Sequence, residues 1–145
     1  MFEHKILLAS DLTDTSRAAE SAAFALAKRL QVNLIILHVI LERASFGMST
    51  TMPELTEPEA LNHQLQALGE SEVPDAERLF LSGLPAETIV NVAQSEAVDL
   101  IVVGTVGRKG IARAVLGSVA EAVMREAPCP VMVVRSDVVD SSGSK

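Results

Sequence analysis

The sequence predicts an α/β fold, a single domain built on an open parallel five-stranded sheet with helices on both faces. One observation is the alternation of five short apolar runs with stretches of helical periodicity, joined by short connections. Such alternation indicates right-handed crossovers and a parallel sheet covered by helices. The other observation is an aliphatic composition, with no Trp, no Tyr and only 4 Phe among 48% hydrophobic residues, which suits strands buried on both faces.

The five apolar runs are predicted to be the strands. They cover residues 5–10, 34–40, 77–82, 100–103 and 131–135. The third run, ERLFLS, is less apolar than the others, and this favours a place at the edge of the sheet. No linker, internal repeat or second domain interrupts the pattern, so one domain is expected over residues 1–136, followed by a polar and disordered tail at 137–145.

Helical periodicity predicts helices over residues 16–30, 59–68, 85–96 and 117–126. Pro85 suits a first helical turn, and Pro128 ends the last helix. The segment 41–58 is predicted to be an irregular loop. In the first helix one face is expected to be buried and the other polar. The buried set is Ala19, Ala22, Ala23, Leu26, Ala27 and Leu30, and the set pointing elsewhere is Arg17, Glu20, Ser21, Lys28 and Arg29.

Charge and composition exclude several classes of function. The formal net charge of −7 argues against nucleic acid and against an anionic membrane surface, because both require a basic face. No run reaches the roughly 18 apolar residues of a membrane span, so no membrane insertion is expected. The single cysteine excludes a disulfide framework within the chain. With no apolar leader at the start, a cytoplasmic location is expected.

The loop after the fourth strand carries the strongest functional signal. Ligands of parallel α/β sheets bind beyond the carboxyl ends of the strands. Gly104 and Gly107 permit positive φ and close backbone approach, so amide hydrogens can face a phosphate. Gly117 and Ser118 precede a helix, where free amides attract anions. The loop adds three cations and, over residues 104–119, no acid. These features favour a phosphate site over a glycine-rich packing turn. The cations are Arg108, Lys109 and Arg113.

The spacing G-x2-G-x9-G-S, carried by Gly104, Gly107, Gly117 and Ser118, resembles the ATP-binding kind of universal stress protein. The similarity extends over nearly the whole chain, through KILLASD, LHV, GLPAETI, DLIVVGT and GSVAEAVMREAPCPVMVVR. It implies a Rossmann-like fold of the adenine nucleotide alpha hydrolase-like type. It also implies an ATP-binding regulatory protein of the stress response.

The resemblance assigns roles residue by residue. Asp11 matches the acid that contacts the nucleoside or orders the metal–phosphate assembly; its alternative role is a helix cap, which Asp14 can also fill. Val39 matches the position whose backbone faces adenine, and Gly104 and Thr105 line the ribose and first phosphate. The remaining positions are expected to bind the phosphate chain, together with Mg²⁺ or Mn²⁺. These are Gly107, Gly117, Ser118 and Val119, with Arg108 beside them.

Three functions remain open from the sequence. A nucleotide-dependent regulator, with an unidentified protein partner, is favoured. A slow ATPase or phosphotransferase is the second, although the chain lacks GxxxxGK[ST] and offers only Asp11 to orient water. An interaction module without nucleotide is the third. The family resemblance implies a homodimer through the fifth strand. ADP, AMP and a cyclic dinucleotide remain alternatives to ATP, and the short segment between strands two and three leaves the base specificity open.

Overall fold

The computed structural model of the protein describes residues 4–41, 56–105 and 116–136. Strands and helices alternate along these residues, and a short 3-10 helix precedes the first α-helix. The elements are β1 (Lys5–Ala9), the 3-10 helix (Asp14–Ser16), α1 (Arg17–Leu30), β2 (Asn33–Ile40), α2 (Thr56–Ala67), β3 (Glu77–Ser82), α3 (Pro85–Ser95), β4 (Leu100–Gly104), α4 (Ser118–Glu126) and β5 (Val131–Val134).

The five strands form one parallel sheet in the order β3-β2-β1-β4-β5. The chain therefore builds outward from β1 to β3 on one side and then returns to add β4 and β5 on the other. The order reverses between β1 and β4, which is where sheets of this class open a crevice at their carboxyl edge. The predicted fold class is confirmed, and β3 lies at an edge as the sequence predicts.

Two apolar layers cover the two faces of the sheet. One packs α1 and α2 against β1 residues such as Ile6 and Leu8, and we call it the α1/α2 core. The other packs α3 and α4 against Leu7 and Ile101, and we call it the α3/α4 core. Alternate residues of β1 thus enter opposite layers, as expected for a central strand buried on both faces.

The predicted helix and strand boundaries hold to within one residue in most places. The exception is α2, which begins at Thr56 and not at residue 59. Pro58 then lies in the first turn, where its missing amide hydrogen disrupts no helical bond. Of the predicted irregular loop, residues 42–55 lie outside the described part of the chain, as does the predicted tail at 137–145.

The predicted buried face of α1 is wrong at two positions. Leu30 is 59% exposed because the helix ends there and the chain turns away at Gln31, whose φ is 56°. Glu20, expected to point elsewhere, is only 8% exposed. Glu20 precedes the buried residues Ala23 and Phe24 by three and four positions, so it lies on the same inward stripe of the helix.

Candidate functional site

Segments from four places in the sequence meet at the carboxyl edge of the sheet. They are the segment 10–16, which includes the 3-10 helix and which we call the loop after β1, the end of β2, the end of β4 and the start of α4. The loop after β1 reaches β4 at Gly104, where an added β-carbon would lie 3.4 Å from the carbonyl oxygen of Thr15. The amide of Gly117 donates to the carbonyl of Thr105 over 2.5 Å, which ties α4 to β4. The edge is therefore one continuous surface over the strand-order reversal.

Asp11 provides a carboxylate at this edge. Its Oδ1 accepts hydrogen bonds from the amide of Thr13 (2.9 Å), the hydroxyl of Thr13 (2.7 Å) and the hydroxyl of Ser16 (2.7 Å). Its Oδ2 accepts from the hydroxyl of Thr15 (2.9 Å). The carboxylate thus holds together the loop in which it lies and keeps some acceptor capacity. The helix-cap alternative is wrong for Asp11, because Thr13 is the N-cap of the 3-10 helix and Ser16 is the N-cap of α1.

Burial and hydrogen bonding act on Asp11 in opposite directions. Burial alone would raise the pKa of its carboxyl, but the hydrogen bonds from Thr13, Ser16 and Thr15 outweigh it, and the pKa lies below its usual value. Asp11 is therefore ionised at neutral pH. Asp14, the alternative cap, instead pairs on the surface with Arg17 over 3.1 Å.

The end of β2 presents backbone polar groups to the edge. The carbonyl of Leu37 accepts from Ser10 on the β1 side, whereas the carbonyl of Ile40 accepts from Gly83 on the β3 side. Peptide groups alternate in direction along a strand, so the backbone of Val39 faces the β1 side. Since β1 ends at Ala9, opposite Leu37, the backbone of Val39 points into the space beyond β1.

His38 supports this strand end without lining it. Its ring stacks on Phe80 with centroids 5.7 Å apart, and Nδ1 lies 2.9 Å from the carbonyl oxygen of Ser10. His38 is only 8% exposed, so it is a buried packing residue that makes this hydrogen bond.

Gly104 and Thr105 end β4 at the crevice. Gly104 does not adopt a positive φ, so that part of its predicted role is wrong. An added β-carbon would be in ordinary van der Waals contact with the Thr15 carbonyl oxygen, so the described structure does not require glycine at this position. The amide of Thr105 donates a hydrogen bond to the carbonyl of Val134 over 3.0 Å, and the carbonyl of Thr105 accepts one from the amide of Gly117. Thr105 therefore links β4, β5 and α4.

The start of α4 offers amide hydrogens. Gly117 is the N-cap, with φ −66° and ψ 155°, and its carbonyl accepts the first helical bond from Glu121. The amides of Ser118, Val119 and Ala120 precede that bond, so they have no partner within the helix. The side chain of Ser118 is exposed, and Val119 is 38% exposed. These three amides and the helix dipole favour an anion.

Two of the predicted binding residues, Gly107 and Arg108, lie outside the described part of the chain, and so do Lys109 and Arg113. The other seven meet at the edge: Asp11, Val39, Gly104, Thr105, Gly117, Ser118 and Val119. Within residues 4–41, 56–105 and 116–136, no group of three His, Cys, Asp or Glu side chains is arranged to hold a metal ion. Over those same residues, no helix has the length and apolar character that a membrane span requires.

Sequence reasoning missed the residues that hold the loop after β1. Thr13, Thr15 and Ser16 bind Asp11, while Ser10 donates its hydroxyl hydrogen to Glu20 over 2.7 Å. The dense run of hydroxyl and acid residues in SDLTDTS signals hydrogen bonding within a turn, but not which groups pair. Burial raises the pKa of Glu20; the Ser10 hydroxyl and Arg17 partly oppose this, and Asp11 adds to it.

The fold and this edge define an α/β protein of the class that binds ligands at a strand-order reversal. A sequence model of the universal stress protein family matches residues 3–135. The chain is 36% identical to universal stress protein YxiE of Bacillus subtilis, with 91% of this chain and 99% of that one covered. Such a match over nearly the whole length shows that the chain belongs to the universal stress protein family.

Solved structures share the fold. Universal stress protein UspA from Lactobacillus plantarum superposes with a TM-score of 0.70 at 27% identity, over 93% of this chain and 99% of that one. A universal stress protein in complex with cAMP superposes with a TM-score of 0.66 at 26% identity, over 94% and 99% of the two chains.

Opposite pKa shifts predict opposite effects of removing the two carboxylate charges. Asp11→Asn should lower the free energy of unfolding at pH 7 by about 1–2 kcal/mol, since it weakens charge-assisted hydrogen bonds. Glu20→Gln should raise the free energy of unfolding at pH 7, since it removes a buried charge while keeping an acceptor for Ser10. Urea unfolding of both variants and of the unaltered protein measures these differences.

The pH dependence provides the control. The contribution of Asp11 is present above its unfolded-state pKa of about 3.9 and is lost as pH falls through its lower folded pKa. The charge of Glu20 costs stability as pH rises from its unfolded-state pKa of about 4.3 through its higher folded pKa. The gain in Glu20→Gln should therefore disappear near pH 3. A gain that is equal at pH 3 and pH 7 would contradict this assignment.

Proposed function

We propose that this protein binds ATP, with Mg²⁺ or Mn²⁺, at the carboxyl edge of the sheet and acts as a nucleotide-dependent regulator in the stress response. The nucleotide-binding domain would span residues 1–136, with a polar tail at 137–145, and the cytoplasm is the expected compartment. The proposed binding residues are Asp11, Val39, Gly104, Thr105, Gly107, Arg108, Gly117, Ser118 and Val119.

The observation that carries the proposal is the convergence of complementary groups over the strand-order reversal. The backbone of Val39 points into the space beyond β1 and offers the polar edge that an adenine base needs. Gly104 and Thr105 would lie against the ribose and the first phosphate. The free amides at the start of α4 would receive the phosphate chain. A nucleotide is the ligand whose parts match this sequence of groups.

The oxygen atoms at the edge are suitable ligands for a metal ion that is also bound by the phosphates. Asp11 is ionised, and its Oδ2 accepts a single hydrogen bond from Thr15, so one carboxylate oxygen keeps acceptor capacity. Mg²⁺ commonly binds through one or two carboxylates together with water and substrate phosphates. Asp11 and Ser118 would hold the ion or its water, and the ion would neutralise phosphate charge.

The neighbour solved with cAMP supports an adenine nucleotide as the ligand class, because it shares this fold at 26% identity. ATP is proposed over smaller nucleotides because the G-x2-G-x9-G-S spacing, from Gly104 to Ser118, provides glycines and cations for more than one phosphate. Four or five charge-assisted hydrogen bonds at very roughly 1.5–3 kcal/mol each would suffice for micromolar affinity after ordering costs.

Replacing Gly117 tests the phosphate site. Gly117→Asp should reduce the affinity for ATP on the order of 100-fold or more, because a carboxylate would occupy the amides and repel the phosphates. The variant should remain folded, since the φ of −66° and ψ of 155° suit any residue and Asp is a favourable N-cap. Calorimetric titration with ATP and Mg²⁺ measures the affinity, and circular dichroism checks the fold.

Gly117→Asn is the matched control, because it has the same shape without the charge. It should lose less affinity than Gly117→Asp. Near-normal ATP affinity in Gly117→Asp would exclude this edge as the phosphate site.

A slow ATPase or phosphotransferase is the second candidate, and Asp11 is the residue that would serve it. Its lowered pKa and its four hydrogen bonds make it a weak general base. We therefore expect the unaltered protein to keep bound ATP intact over hours, as followed by chromatography of the nucleotide. Turnover that disappears in Asp11→Ala while ATP binding is retained would favour the enzyme over the regulator.

A homodimer through β5 is part of the proposal, as is a separate protein partner in regulation. β5 is the edge strand beside β4, and Met132 on it is 36% exposed. An apolar edge strand is a ready surface for pairing with a second copy.

Replacing Met132 tests the dimer. Met132→Lys should shift the protein from dimer to monomer in light scattering at micromolar concentration, because lysine on an edge strand opposes pairing. Met124→Lys is the matched control, since Met124 is 48% exposed but lies on α4. Equal molecular masses for Met132→Lys and the unaltered protein would contradict pairing through β5.

A further inference from the structure

Glu20 is a buried acid that the proposed site does not use. It lies on α1, is 8% exposed, and shares the inward stripe of the helix with Ala23 and Phe24. Its Oε2 accepts the hydroxyl hydrogen of Ser10 over 2.7 Å. Burying an ionisable group is costly, and burial raises the pKa of this carboxyl. An aliphatic residue at position 20 would avoid that cost, so the role of Glu20 lies in what it does to Ser10.

The hydroxyl of Ser10 connects Glu20 to the turn at Leu12. A serine hydroxyl carries one hydrogen and two lone pairs. With the hydrogen donated to Glu20, a lone pair of the same oxygen accepts the amide of Leu12 over 2.9 Å. The carboxylate of Glu20 thereby fixes the rotation of the hydroxyl in the orientation that accepts this amide.

Leu12 needs that support because its backbone is strained. Its φ is 62°, in the left-handed region that non-glycine residues rarely adopt, and such a conformation costs of order 1–3 kcal/mol. Three interactions hold it: the amide bonds to Ser10, the carbonyl accepts Nε2 of Gln64 over 3.0 Å, and the side chain is only 9% exposed.

The turn at Leu12 directs the rest of the loop back over Asp11. Immediately after it, Thr13, Thr15 and Ser16 donate to the carboxylate, and the amide of Asp11 donates in return to the hydroxyl of Ser16 over 2.9 Å. The carbonyl of Thr15 then lies against Gly104. A change at Leu12 would therefore move both Asp11 and its contact with β4.

We propose that Glu20 is a positioning residue of the nucleotide site: through the Ser10 hydroxyl it fixes the left-handed turn at Leu12 and so sets the affinity of the Asp11 loop for nucleotide. This inference rests on the proposed function and deepens it. Glu20 touches no ligand in this scheme.

The test is a double-mutant cycle read as affinity for ATP with Mg²⁺ by calorimetry. Glu20→Leu and Ser10→Ala should each weaken binding about tenfold, and the double variant should be no weaker than either single one, because both changes break one relay. Glu20→Gln should bind within about threefold of the unaltered protein, since the glutamine side chain keeps an oxygen that accepts from Ser10.

Two controls separate positioning from general loss of stability. Phe24→Leu, one turn further along α1 and in the α1/α2 core, should lower the unfolding temperature and leave the ATP affinity unchanged. Thermal unfolding of each variant confirms that it is folded at the titration temperature; should Glu20→Leu not fold, the comparison of Ser10→Ala with Glu20→Gln carries the test.

Each outcome has a defined meaning. Three results would overturn the positioning role while leaving the proposed function intact. They are normal ATP affinity in Glu20→Leu or Ser10→Ala, additive losses of affinity in the double variant, and a loss in Glu20→Gln equal to that in Glu20→Leu. An unaltered protein that ignores ATP would overturn both.

Discussion

The close approach of the loop after β1 to the end of β4 is the constraint on which the site depends. At Gly104 a β-carbon would lie 3.4 Å from the carbonyl of Thr15, so the loop closes directly over the strand-order reversal. The topology puts β1 and β4 side by side, so the segments that follow these two strands are in contact at Thr15 and Gly104. The Asp11 carboxylate, the end of β2 and the start of α4 consequently lie along the same edge of the sheet.

Hydrogen bonds made by side chains also determine the path of the loop after β1. The sheet and its two aliphatic layers are non-directional in their packing, so they do not by themselves determine the path of a seven-residue loop. Hydrogen bonds to Asp11 and from Ser10 to Glu20 provide the direction. The strained φ of Leu12 is the local cost of this path. Such strain is common where backbone geometry serves a binding site.

The strands and the fold class were predictable because buried parallel strands read as continuous apolar runs, as KILLA and LIVVG do. The burial of Glu20 was not predictable, because helical periodicity assigns acids to the surface and its partner Ser10 lies outside the helix. The glycine spacing predicts a phosphate site after β4, and this stays a prediction. It did not predict the conformation of Gly104, because a glycine permits a positive φ without requiring one.

The central claim is that this edge binds an adenine nucleotide. The most direct measurement is to purify the protein, denature it, and identify any released small molecule by chromatography and mass spectrometry, with calorimetric titration of the emptied protein. If the edge binds ATP, the protein should release about one ATP per chain, or the emptied protein should rebind ATP with Mg²⁺ at micromolar affinity. A protein that releases no nucleotide and shows no binding of ATP would contradict it and favour an interaction module whose glycine loop is structural.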